Sequence, residues 1–222
     1  MSVNVISRIF IWAVPVLFSI VIHEVSHGWM ASKLGDDTAK KMGRLTLNPL
    51  VHIDPIGTII LPFIMIILGG PVFGWAKPVP FNPYNFNPRV NRRTGIMWVG
   101  IAGPASNFAI AFVASFVLVF SQRFLSGLPA LFYISIFQLT QALLFINLIL
   151  GFFNLIPLPP LDGSKVLMRF LPESLELQYL KLERYGMLIL ILILATGGFS
   201  SLVMGPVKLL YRIFLDIPRF FL

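Results

Sequence analysis

Four stretches of this 222-residue chain, 9–31, 96–120, 130–153 and 187–204, are apolar over a length that suits a bilayer, and a fifth, 56–73, is apolar but broken. A hydrocarbon core about 30 Å thick takes about 20 residues of helix at about 1.5 Å each. The runs therefore predict one membrane-embedded helical bundle, residues 1–222 forming a single domain. Composition agrees: 57% of residues are hydrophobic and 12% charged, where a soluble domain carries about a quarter charged residues. The formal charge of +8 does not point to nucleic acid, because its lysines and arginines are spread over short loops and form no dense patch. With no cysteine there is neither a disulfide nor a thiolate metal site. The first run has only Arg8 as a basic flank and no small-residue cleavage site, so it reads as a retained helix and not a signal peptide.

Basic loops orient the bundle. Lys33, Lys40, Lys41 and Arg44 follow the first span, and Lys77, Arg89, Arg92 and Arg93 precede the next; both loops belong on the cytoplasmic side by the positive-inside rule. A single crossing by 56–73 would separate them. Pro62, Gly69, Gly70 and Pro71 interrupt that run, so it reads as a re-entrant element. Residues 51–94 are thus a re-entrant or loop region, with helices expected at about 9–34, 95–120, 130–156 and 185–204. The stretch 206–222, with Lys208 and Arg212 among apolar residues, reads as a short final span or an interfacial helix. The expected architecture is an all-α polytopic bundle of about five or six transmembrane helices, with a re-entrant or short β element near the site. The Pro- and aromatic-rich segment 72–88 cannot be regular helix. It reads either as a short strand or hairpin that could hold an extended peptide by strand addition, or as an interfacial loop anchored by Phe73, Trp75 and Tyr84.

The first span ends in "HEVSH", 23–27. Ionisable groups at membrane depth are costly and mark function by default. Spacing of four places His23 and His27 on one helix face, where both imidazoles can reach one Zn²⁺, and Glu24 lies beside them as a general base for water. His23 is roughly 20 Å along the helix from Ile9, about 5 to 10 Å inside the cytoplasmic boundary. A catalytic zinc takes a third protein ligand. From the residues alone the candidates are His52, Asp54 and Asp162, the last following the unwound "IPLPP" at the inner end of the 130–153 span.

"HEVSHG", "AGPASN" at 102–107 and "FNLIPLPPLDG" at 153–163 together resemble the signature motifs of the site-2 protease family of intramembrane zinc metalloproteases. "GRLTLNPLVHIDPIGTIILP" and "FGWAKPVP" resemble its compact bacterial and archaeal members. The resemblance implies one zinc held by His23, His27 and Asp162, Glu24 as catalytic acid and base, and Asn154 near the scissile bond as substrate or oxyanion partner. It implies transmembrane protein or peptide substrates and a prokaryotic cell membrane, while the basic loops put the site's opening on the cytoplasmic side. His52 and Asp54 are left to support a ligand or line the site's mouth, and "AGPASN" to bring helices close, with Asn107 as an interhelical hydrogen bonder. PDZ-like and CBS-like domains, and a span preceding the zinc-binding helix, are not expected. The competing readings are a membrane metal transporter or metal-binding scaffold, and a pseudo-enzyme that binds helices without cutting them.

Overall fold

An apolar run at membrane depth has no water to bond its backbone and must close its hydrogen bonds internally, which a helix does locally. The computed structural model describes residues 5–67, 74–125, 127–198 and 200–221, and among them it contains no strand. In chain order the α-helices are α1 (Val5–Lys33), α2 (Thr38–Lys41), α3 (Leu61–Ile67, entered through the π-helical Pro55–Ile60), α4 (Arg92–Phe124), α5 (Ala130–Asn154), α6 (Asp162–Met168), α7 (Glu173–Leu180), α8 (Glu183–Ala195) and α9 (Gly205–Phe221). Among the described residues, α1 from Phe10, α4 and α5 are long and apolar enough to cross a bilayer.

Two sequence expectations change. The helix expected over 185–204 is broken: α8 has 13 residues, about 20 Å, and ends just before Gly197, whose φ of 74° only glycine adopts freely. The apolar helical stretch Pro55–Ile67, read from the sequence as part of a re-entrant element, is short of a span, and residues 68–73, with the Gly69-Gly70-Pro71 break, lie outside the described residues. In place of a strand or hairpin, 74–80 runs extended against other elements. Its alternate N–H groups turn inward, Trp75 donating to the Gly57 carbonyl (3.1 Å), Lys77 to the His52 carbonyl (2.9 Å) and Val79 to the Glu24 carboxylate (2.8 Å). Of the alternate positions 76, 78 and 80, Pro78 and Pro80 have no N–H, so the outer edge can donate from Ala76 but not as a continuous ladder.

α4 packs against both α1 and α5, which also touch each other. Ala111 and Ala114 of α4, both buried, let Leu144 and Leu148 of α5 come close, and Val203 and Val207 complete that core. The outer faces carry large exposed apolar side chains such as Phe10, Phe63, Leu131 and Phe132, as a lipid-facing surface does. α6 lies on α4 because residue 100 is glycine: a Cβ there would stand 2.9 Å from Lys165 Cβ and 3.1 Å from the Asp162 carbonyl oxygen. Arg93 anchors the far end of α6 by donating to the Met168 and Leu171 carbonyls. The loop after α1 is tied to 82–87 by Asp36, fully buried, which accepts from Thr38, the Asn82 N–H and the Asn85 amide. Arg44 donates to the Lys77 and Pro78 carbonyls, so some of the basic residues that orient the bundle also brace it.

Candidate metal centre

His23 and His27 sit one turn apart on α1, and the chain brings Asp162 to them from far along the sequence. After α5 ends at Asn154, the proline-rich 155–161 turn reverses the backbone, and Asp162 becomes the first residue of α6. All three residues are buried, at 7%, 6% and 4% exposure. His23 Nε2, His27 Nε2 and Asp162 Oδ2 form a triangle with every edge 3.1 Å.

Three polar atoms this close need either a proton between each pair or a shared cation. The remaining atoms decide between these. His27 Nδ1 lies 2.6 Å from the Val99 carbonyl, which can only accept, so Nδ1 carries the proton. His23 Nδ1 lies 2.6 Å from Asn107 Oδ1, and the orientation of that amide follows from its other end, where Nδ2 donates to Asn147 Oδ1 at 2.8 Å. Asn147 is fixed in turn, donating to Ser19 Oγ (2.7 Å) and the Leu143 carbonyl (2.8 Å), while Ser19 donates to the Pro15 carbonyl. With its proton on Nδ1, each imidazole in its neutral form presents Nε2 as a lone pair. Asp162 Oδ1 receives the Lys165 ammonium at 2.7 Å, and buried Oδ2 has no hydrogen-bond donor.

With both imidazoles neutral, three lone pairs converge on one point, which is the donor set of a divalent metal. A tetrahedral zinc with ligands at about 2.0–2.1 Å separates them by about 3.3–3.4 Å, close to the 3.1 Å edges. These residues fit the group. Gly103 is required beside them: a Cβ would stand 2.5 Å from His27 Nε2 and 2.6 Å from His23 Cε1. Glu24, half-buried, is held by the Val79 N–H through Oε2.

Among the described residues His23, His27 and Asp162 are the His, Asp and Glu side chains grouped closely enough to share an ion. Asp54 instead caps the Pro55–Ile60 helix, accepting from Ile56 and Gly57 N–H. Buried His52 donates through Nε2 to the Thr46 carbonyl. The groups that orient the histidines are Asn107 and Val99. Asn154 donates to the Leu150 carbonyl of its own helix. Sequence reasoning placed Asn107 between helices but not on His23, and the Val99 carbonyl, a backbone group, has no side-chain signal.

Comparison with known proteins agrees with this chemistry. Residues 11–196 match Peptidase family M50. Bacillus subtilis (strain 168) has a relative named "Putative zinc metalloprotease YwhC", 38% identical over 87% of this chain and 83% of that protein. A Mycolicibacterium smegmatis relative named "Putative zinc metalloprotease Rip2" is 29% identical over 83% of the chain and 66% of its own length. "Zinc metalloprotease MJ0392" of Methanocaldococcus jannaschii is 27% identical over 78% of the chain and 39% of its length. No solved structure matches the chain.

Proposed function

The chain belongs to peptidase family M50, and on that premise we propose that it is a zinc endopeptidase that hydrolyses peptide bonds within or beside transmembrane segments of other membrane proteins. The observation that carries this reading is the 3.1 Å triangle of His23 Nε2, His27 Nε2 and Asp162 Oδ2, two of its corners on a helix long and apolar enough to cross a bilayer. These three residues would hold one zinc, leaving a position for water and substrate. Bound there, zinc polarises the scissile carbonyl and makes a water acidic enough to give up a proton near neutral pH. Glu24 takes that proton and returns it to the leaving amine. The Val79 N–H orients one carboxylate oxygen for this task and leaves the other for the proton. Asn154, at the end of α5, would donate to the substrate backbone after leaving its Leu150 partner. Pro55–Ile67 would dip into the membrane beside the site and return. Lys33, Lys40, Lys41, Arg92 and Arg93 cluster at the helix ends nearest the site, which supports a site opening to the cytoplasm.

The test uses purified full-length protein and a peptide containing one transmembrane segment. Glu24→Gln should retain zinc and lose cleavage by at least a thousandfold; Asp162→Asn should lose zinc, and Asp54→Asn should keep it. Undiminished cleavage by Glu24→Gln would refute the mechanism. Zinc movement across vesicles that persists in Glu24→Gln, with no cleavage by the wild type, would favour a transporter.

A further inference from the structure

A cavity of about 750 Å³ lies between α1, α5 and α9, away from the metal centre. Along α1, its wall residue Trp12 is 11 positions before His23, about 16 Å along the axis. With the metal centre near one boundary of a core about 30 Å thick, the cavity sits close to the opposite leaflet's headgroups. Its walls are mainly apolar, and Trp12 at the rim is half exposed.

The polar residues of this cavity have one character. Lys208 and Arg212 lie one turn apart on α9, with Tyr211 between them, and Gln138 and Gln141 lie one turn apart on α5. Among the described residues no acidic side chain lines the cavity. Among the described residues neither Lys208 nor Arg212 has an ion-pair partner, and Asp216, the next carboxylate along α9, is paired with Arg219 at 3.3 Å. Topology does not account for these two cations, because the orienting lysines and arginines lie at the other end of the bundle. Unpaired cations at membrane depth are costly unless an anion or headgroup water meets them, and basic pockets between transmembrane helices suit phosphate headgroups.

We infer that this cavity binds the headgroup of an anionic phospholipid from the leaflet opposite the metal centre. The Lys208 ammonium and Arg212 guanidinium meet the phosphate, and Arg212 can do so through two N–H groups. Gln138, Gln141 and the Tyr211 hydroxyl bond the remaining headgroup oxygens, and the acyl chains follow the apolar walls. A bound lipid would thereby join α9 to α1 and α5.

The experiment compares dioleoyl phosphatidylglycerol with dioleoyl phosphatidylcholine on the full-length protein in neutral detergent, reading retained lipid by native mass spectrometry and unfolding temperature in parallel. Phosphatidylglycerol should be retained at least tenfold over phosphatidylcholine and should raise the unfolding temperature. In Lys208→Gln/Arg212→Gln that preference should fall below twofold. It should persist in Lys208→Arg/Arg212→Lys, which keeps both charges, and in Lys40→Gln/Lys41→Gln, which removes two charges at the other end of the bundle. Three results would overturn the inference: unchanged preference in the Lys208→Gln/Arg212→Gln protein, an equal loss in the Lys40→Gln/Lys41→Gln control, or a full thermal shift from inorganic phosphate alone.

Discussion

Replacing Asn107 by alanine separates holding a histidine from merely filling space. Asn107 is fully buried, and its side chain meets two groups that have nowhere else to go, the His23 Nδ1–H and Asn147 Oδ1. Each buried polar group left unpaired costs about 1–3 kcal/mol, so the apo protein should lose about 2–6 kcal/mol of stability. The effect on metal binding is distinct. Without Asn107 the His23 proton can move to Nε2, which lies 3.1 Å from Asp162 Oδ2, and the resulting N–H···O bond closes the triangle against a metal. Losing the orienting partner of a ligating histidine typically costs 10- to 100-fold in metal affinity, or about 1.4–2.7 kcal/mol.

Zinc affinity is measured on folded, purified Asn107→Ala by competition with a chelator near pH 7.5, beside Asn147→Ala as control. Asn147→Ala also opens the buried network, but the Ser19 carbonyl, 3.5 Å from Asn107 Nδ2, still holds the amide with Oδ1 toward His23, so its zinc affinity should change less than threefold while its unfolding temperature drops. If Asn107→Ala binds zinc within twofold of the wild type, the tautomer argument fails and the amide serves helix packing alone.

Lys165→Met should weaken zinc binding several-fold, because Asp162 Oδ1 loses the ammonium that keeps the carboxylate turned with Oδ2 toward the histidines; Lys165→Arg should restore it, and equal affinity in all three proteins, read by chelator competition, would contradict this. The Asp36 carboxyl is held below the usual carboxylate range: burial opposes ionisation, but hydrogen bonds from Thr38, the Asn82 N–H and the Asn85 amide outweigh it. Because the folded pKa is the lower one, its stabilising effect is complete above the unfolded value of about 4 and is lost as pH falls through the folded value. Asp36→Asn should therefore unfold at a lower temperature at pH 7 and show a shallower loss between pH 5 and 3, as followed by circular dichroism; parallel curves would refute the assignment.

The three long helices were legible as helices, expected at about 9–34, 95–120 and 130–156 where the structure has Val5–Lys33, Arg92–Phe124 and Ala130–Asn154, with ends up to four residues apart, because lipid forces an apolar run to satisfy its own backbone. The run 187–204 misled for the same reason: hydropathy does not weigh Gly197, whose left-handed turn ends the helix. Segment 74–80 keeps the extended backbone that its prolines demand, yet those prolines fall where a partner strand would need N–H groups. His52 and Asp54 looked like ligands because residue type is all a sequence offers, and their actual partners, the Thr46 carbonyl and the Ile56 and Gly57 N–H groups, are backbone atoms without a signature. The metal donors were legible as types, and their convergence depends on a loop reversal that only the fold supplies.

Helix register and metal centre are one problem in this protein. α1, α4 and α5 each place one fully buried polar side chain at the same depth, Ser19, Asn107 and Asn147, and between lipid-filled surroundings each must find a partner or cost several kcal/mol. Their mutual hydrogen bonds are satisfied in one arrangement, since rotating a helix by one residue turns its polar group about 100° away. Asn107 is the member that faces two ways, toward Asn147 and toward His23. The same arrangement that aligns the helices therefore fixes the His23 tautomer. Gly103, one turn before Asn107, opens the space in which both imidazoles stand, and Gly100 admits the helix that carries Asp162. In a bundle where apolar contacts tolerate sliding, these few polar and small residues specify the register, and the register delivers the three lone pairs to a common point.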